Sequence, residues 1–142
     1  MKPISELLKN RDSSVFQIEP SATVFEALQL LSDHGVGAMF VMENGKLVGI
    51  VSERDYTRKV ALQGKNSKET RVADIMTREI ITVTPDTGTR ACMALMSQKK
   101  IRHLPVLDGA SVMGMISIRD IMDDIIAENE ETISQLTSYI SS

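Results

Sequence analysis

The chain has 142 residues, 42% of them hydrophobic and 25% charged, with a formal net charge of -3; this is one ordinary domain, or two small repeats sharing a core, and too little for a large multidomain enzyme. The acidic balance argues against a cationic surface that tracks phosphate backbones, so no nucleic-acid partner is expected. The single cysteine, Cys92, excludes an internal disulfide and a multi-cysteine metal site and fits a cytoplasmic setting, while the lack of any apolar run near ~20 residues and the polar opening Met1-Lys2-Pro3-Ile4-Ser5-Glu6 argue against a membrane span or signal peptide.

In chain order, Ile4, Leu7 and Leu8 open an apolar segment, and Val15-Phe16-Gln17-Ile18, closed by Pro20, predicts a strand. A helix follows, capped by Ser21 or Thr23, with Val24, Ala27, Leu28 and Leu31 at helical spacing and Gly35 at its end. Ala38-Met39-Phe40-Val41-Met42 and Leu47-Val48-Gly49-Ile50-Val51 are strands about the hairpin signal Glu43-Asn44-Gly45, after which Ser52 caps a helix containing Tyr56 and Val60. Gln63 to Thr70, with Gly64 and no apolar residue, reads as a linker.

The order then returns. Ile80-Ile81-Thr82-Val83 predicts a strand closed by Pro85, and a helix begins at Thr87 or Thr89 and ends at Lys99-Lys100. Strands His103-Leu104-Pro105-Val106-Leu107 and Val112-Met113-Gly114-Met115-Ile116 flank Asp108-Gly109, and Ser117 caps a helix containing Ile121 and Ile125. Beyond it, Ile133, Leu136 and Ile140 recur at helical spacing, giving a terminal helix or tail.

An offset of 65 superimposes Pro20 on Pro85, Val41 on Val106, Gly49 on Gly114, Ser52 on Ser117, Arg54 on Arg119 and Asp55 on Asp120. Further upstream the match slips to 68, setting Ile4, Leu7 and Leu8 against Val72, Ile75 and Met76. The expected organisation is a β-α-β-β-α repeat over residues 1–62, a linker over 63–70, a second repeat over 71–127 and a terminal helix or tail over 128–142. A lone repeat of this size would bury only about 60% of its unfolded surface, so the two are expected to pack together.

Chemistry concentrates in the repeated phrases Gly49-Ile50-Val51-Ser52-Glu53-Arg54-Asp55 and Gly114-Met115-Ile116-Ser117-Ile118-Arg119-Asp120. Each delivers a hydroxyl and, three residues on, a carboxylate to a helix N-terminus, where free amides favour an anion and the carboxylate can accept from sugar hydroxyls. That suits a ribose with its phosphate; the competing reading is a capping box that stabilises the helix start and binds nothing. No Gly-rich phosphate loop, dinucleotide fingerprint or metal-ligand spacing accompanies them, and Cys92, at the position of Ala27, reads as core, so catalysis is not expected.

The doubled pattern resembles the CBS domain family, whose pairs carry a hydrophobic-hydrophobic-Ser/Thr-x-x-Asp signature where the last strand meets the last helix. Gly35-Val36-Gly37-Ala38-Met39-Phe40-Val41 and Ile101-Arg102-His103-Leu104-Pro105-Val106 are similar to its central strand, and the likeness covers about residues 1 to 127. The resemblance implies an α/β (α+β) fold of two repeats packed sheet to sheet around a pseudo-two-fold axis, with two clefts for adenosine ligands such as AMP, ATP, S-adenosylmethionine or NAD. It implies one cleft built from Ser52 and Asp55 with Ile80, Ile101, Arg102 and His103, and another from Ser117 and Asp120 with Val15, Val36, Gly37 and Ala38, Met115 lying in the strand that leads to Ser117. His103 could also serve the Asp120 cleft.

Where phosphates would lie, the repeats differ. Arg102 and His103 form a cation pair where the first repeat has Gly37 and Ala38, while Arg58 and Lys59 face Asp123 and Asp124 across the alignment. The Asp55 cleft is therefore expected to take more phosphate charge, through Arg54 and Arg58, with Lys59, Asp123 and Asp124 equally readable as solvated helix charges. The expected ligand is regulatory, an adenine nucleotide rather than a required cofactor, and the expected partners are a second copy in a homodimer and a separate regulated protein. A ligand-independent dimerisation scaffold with vestigial clefts is the alternative.

Overall fold

The computed structural model describes residues 2–9 and 15–141. Of these, residues 15–81 form one compact unit, and residues 2–9 together with 82–141 form the other. The compact units are thus not the two sequence repeats: the opening segment of each repeat is built into the unit that carries the other repeat's strands.

In the first unit, β1 (Gln17–Ile18) runs parallel to β2 (Ala38–Glu43), which pairs antiparallel with β3 (Lys46–Ser52). Asn44 and Gly45 both adopt positive φ, 52° and 77°, as a two-residue hairpin requires. Helix α2 (Val24–His34) follows β1; of its two candidate caps Thr23 serves, its Oγ1 accepting from the Glu26 amide at 3.2 Å, and Gly35 ends the helix at φ 65°. Val24, Ala27 and Leu31 from α2 meet Ile18, Met39, Val41, Val51 and Val60 in a buried apolar cluster. That cluster is closed by Val72 and Ile75 from α4 (Val72–Ile75) and by Met76, the residue that ends it.

Between β3 and α4 the chain forms α3 (Glu53–Tyr56), continues as a π-helical turn over Thr57–Ala61, and enters the linker. Far from hanging free, the linker is bonded along α2: the Val24 and Phe25 amides donate to the carbonyls of Thr70 and Ser67 at 2.8 and 3.0 Å.

The second unit repeats this frame. Helix α5 (Thr89–Lys99) and the hairpin of β4 (His103–Asp108) and β5 (Ser111–Ser117) lead into α6 (Ile118–Ser141), a single helix of 24 residues. The side chains of Ile133, Leu136 and Ile140 lie outside the described residues. Even the hairpin irregularities are duplicated, with Val48 skipped between Gly49 and Leu47 in one unit and Met113 skipped between Gly114 and Val112 in the other. Ile4 and Leu7 from α1 (Ile4–Lys9) are buried here, with the Ile4 amide donating to the Thr87 carbonyl at 2.8 Å.

Two local expectations are corrected. The strand expected over Ile80-Ile81-Thr82-Val83 reduces to one parallel bridge, Val83 to Val106. In the first unit the Phe40 amide donates to the Phe16 carbonyl at 3.1 Å; the residue aligned with Phe40 is Pro105, which has no amide to offer Ile81. The cap of α5 is Gly88 rather than Thr87 or Thr89, because the Thr87 hydroxyl accepts from the Thr84 amide at 3.2 Å and Thr89 is fully buried as the first helical residue.

Candidate functional site: two hydroxyl and carboxylate turns

Each hairpin returns along a strand whose last residue is the serine and whose next four residues start a helix. In the first unit Ala38 stands opposite Ser52, and the Glu53 amide donates to the Gly37 carbonyl at 3.0 Å; in the second His103 stands opposite Ser117, and the Ile118 amide donates to the Arg102 carbonyl at 2.9 Å. The residues at the start of the central strand are thereby fastened to the turn of their own unit.

Both turns are complete capping boxes. The Ser52 amide and hydroxyl donate to Asp55 Oδ2, each at 3.0 Å, and the Asp55 amide donates back to Ser52 Oγ at 3.1 Å. In the second unit the Ser117 amide and hydroxyl reach Asp120 Oδ2 at 2.8 and 2.9 Å, and the Asp120 amide returns to Ser117 Oγ at 3.2 Å. The structural role of the motif is therefore present in both repeats.

What surrounds the carboxylates differs. On Asp55 the second oxygen, Oδ1, accepts from Thr77 Oγ1 at 3.3 Å and pairs with Lys59 Nζ at 3.4 Å, and the same ammonium donates to the Ile75 carbonyl at 2.8 Å. Lys59 is thus not a solvated helix charge but a tie between α3, its π-helical extension and α4. In the second unit the position of Lys59 belongs to Asp124, whose Oδ1 pairs with Lys2 Nζ at 3.3 Å. Asp124 is therefore, like Lys59, tied into its own unit rather than a solvated helix charge.

Half-buried His103 shares the second turn. Burial holds its imidazole below the ordinary range; Asp120 pulls it up and Arg102 pushes it further down. At neutral pH the expected cation pair is thus one permanent cation, exposed Arg102, beside a neutral imidazole that can both donate and accept.

The remaining candidates divide by unit. Val15, Val36, Gly37, Ala38, Arg54, Arg58 and Ile80 lie with Asp55, whereas Ile101, Arg102, His103 and Met115 lie with Asp120. Arg54 and Arg58 are exposed; Val15, Val36, Ile80, Ile101 and Met115 are half-buried. Thr77 was not singled out from sequence, and no local pattern marks it, because it reaches Asp55 from 22 residues away. Among the described residues no cluster of three metal-ligating side chains occurs, and no helix is long and apolar enough to cross a membrane.

A duplicated hairpin and helix body that twice ends in the same hydroxyl and carboxylate turn defines a tandem domain pair. The chain belongs to the CBS domain family, whose model matches residues 5–62 and 72–127. It is 40% identical over 146 residues to the mitochondrial CBS domain-containing protein CBSX3 of Arabidopsis thaliana, covering 96% of this chain and 71% of that one. It is 30% identical to the CBS domain-containing protein YhcV of Bacillus subtilis, covering 95% of each. Among solved structures it matches a protein with CBS domains from Burkholderia ambifaria at 41% identity and a TM-score of 0.85, over 87% of this chain and 93% of that one.

Proposed function

We propose that this chain is a regulatory module that binds an adenosine ligand, AMP or ATP in first place with NAD or S-adenosylmethionine as the other candidates, and performs no chemistry on it. CBS pairs are regulatory ligand-binding modules. A more distant fold relative, the CBS domain pair of protein MJ0100, is in complex with 5'-methylthioadenosine and S-adenosyl-L-methionine. The observation that carries the reading to this chain is the carboxylate turn kept in both repeats, Ser52 with Asp55 and Ser117 with Asp120, each at the start of a helix. A ribose diol donating to the aspartate, with phosphate near Arg54 and Arg58 or near Arg102 and His103, uses the chemistry these turns offer. Occupancy would shift the population of conformers and so the surface offered to a separate regulated protein. The homodimer and the cytoplasmic setting expected from sequence belong to the same proposal; a related hexameric CBS-CP12 protein, 29% identical with a TM-score of 0.75, is an oligomer.

One observation favours a second reading. Both capping boxes are closed by bonds within the chain, the structural role of the motif, which a ligand-independent dimerisation scaffold would also keep. Calorimetric titration with AMP, ATP, NAD and S-adenosylmethionine in turn separates the two. Saturable binding, weakened by about 1–3 kcal/mol in whichever of Asp55→Ala and Asp120→Ala removes the ribose acceptor, supports the sensor. No heat and no thermal shift with any of the four selects the scaffold.

A further inference from the structure

Helix α6 packs on its own unit through Ile121, which is fully buried, while Met122 and Ile126 stand 53% and 51% exposed on another side. Continuing from these two along the unbroken helix, the sequence reads Met122, Ile126, Asn129, Ile133, Leu136, Ile140, with spacings of four, three, four, three and four. This is a heptad seam: isoleucine occupies all three a positions, 126, 133 and 140, and the d positions are Met122, Asn129 and Leu136. A 3.5-residue period fits a partner helix of the same period, and isoleucine at a with leucine at d, the combination at Ile133 and Leu136, favours two strands.

The flanking charges choose the orientation. Asp123 and Glu130 fall at e positions, and Ile125 and Thr132 at g. In a parallel pair e meets g of the other helix, which sets the acids beside uncharged residues, whereas an antiparallel pair sets e against e and brings acid to acid. Asn129, the one polar residue of the seam, meets its own counterpart only when the two helices are parallel and in register; in any other register its amide faces an aliphatic side chain.

From these positions we infer that α6 pairs with α6 of a second copy of this chain as a parallel, in-register two-stranded coiled coil running from Met122 to Ile140, about 27 Å at 1.5 Å per residue. The seam rests on the homodimer proposed above and supplies its contact, but it uses neither a ligand nor the Ser-x-x-Asp turns, so ligand binding and helix pairing succeed or fail separately.

Cysteine cross-linking of the full chain tests it. Asn129→Cys puts a thiol in the seam at a d position, and Glu131→Cys puts one at an f position, on the side of the helix away from it; native Cys92 is buried and does not compete. Under mild oxidation at low micromolar concentration, Asn129→Cys should form a disulfide-linked dimer at least about tenfold faster than Glu131→Cys, and adding Ile126→Asp to Asn129→Cys should abolish that advantage. Equal rates for the two cysteine variants, or an advantage that survives Ile126→Asp, would overturn the coiled coil. Because Ile126 is exposed, a circular dichroism melt of each variant distinguishes lost pairing from lost folding.

Discussion

Lys59 and Asp124 occupy the same step of the two repeats with opposite charge, and each has found a partner of its own sign complement, Asp55 at 3.4 Å and Lys2 at 3.3 Å. The pairs are not equally replaceable. Asp55 keeps Ser52 and Thr77 when its lysine is removed, whereas the second oxygen of Asp124 is buried without a hydrogen-bond partner among the described residues. Removing Lys2 leaves a largely buried carboxylate with less compensation, the costlier situation. Lys2→Met should therefore lower the urea midpoint more than Lys59→Met, and about 1 M salt should shrink the difference. A larger loss for Lys59→Met would show that the bond from Lys59 to the Ile75 carbonyl outweighs the ion pairs.

His103 makes stability depend on pH in a stated direction. Its folded imidazole titrates below the ordinary value of 6.5 because burial penalises the charged form, with Arg102 adding to the shift and Asp120 opposing it. The unfolded chain then binds the proton more readily than the folded one. The resulting stabilisation is fully present above pH 6.5 and is lost as pH falls through 6.5 toward the folded value. The melting temperature of the parent chain should drop from pH 7.5 to 5.5, and His103→Gln should flatten that drop; parallel curves would remove His103 as the cause. A phosphate bound beside the imidazole would raise its pKa, so nucleotide binding near neutral pH should take up protons, read as a dependence of binding heat on buffer.

The doubled hairpin and both Ser-x-x-Asp turns were legible because residue type alone specifies them: Asn44-Gly45 demands the tight turn, and a serine three residues before an aspartate makes the capping box. What was not legible is set by residues distant in sequence. No local pattern says that Leu8 belongs with Gly114 and Met76 with Gly49, which requires the opening segments to be exchanged between bodies. Lys59 looked like a solvated charge because its acceptor, the Ile75 carbonyl, lies 16 residues away. The missing strand at Ile80–Val83 is written in another segment, since the proline that removes the donor stands in the neighbouring strand at position 105, whereas strand propensity is a property of each segment alone.

Cys92 should be chemically quiet. It is fully buried in α5, at the position of equally buried Ala27, and burial pushes its thiol above the usual range. A thiol reagent such as dithionitrobenzoate should react with it in the native chain at least about a hundredfold more slowly than in urea. Reaction at comparable rates would mean that α5 opens readily.

Gly49 and Gly114 are aligned in the repeat yet should tolerate a methyl group very differently. Neither adopts a left-handed φ, so the demand is for space. A Cβ on Gly49 would lie 2.8 Å from Met76 Sδ and 2.9 Å from the Thr77 carbonyl oxygen. The methionine tip can turn aside, but the carbonyl is fixed by the paired bonds between Ile50 and Thr77, at 3.0 and 2.8 Å. A Cβ on Gly114 would meet only Leu8 Cδ2 at 3.0 Å, the far end of a side chain that can change rotamer. Gly49→Ala should therefore destabilise by about 1–3 kcal/mol through overpacking, and because Thr77 also holds Asp55, it should disturb the first turn as well. Gly114→Ala should cost less than about 1 kcal/mol, since the reduced entropy of the unfolded chain offsets part of the strain. Urea melts of the two variants give the order directly; equal losses would mean that the Thr77 segment moves as freely as the Leu8 side chain.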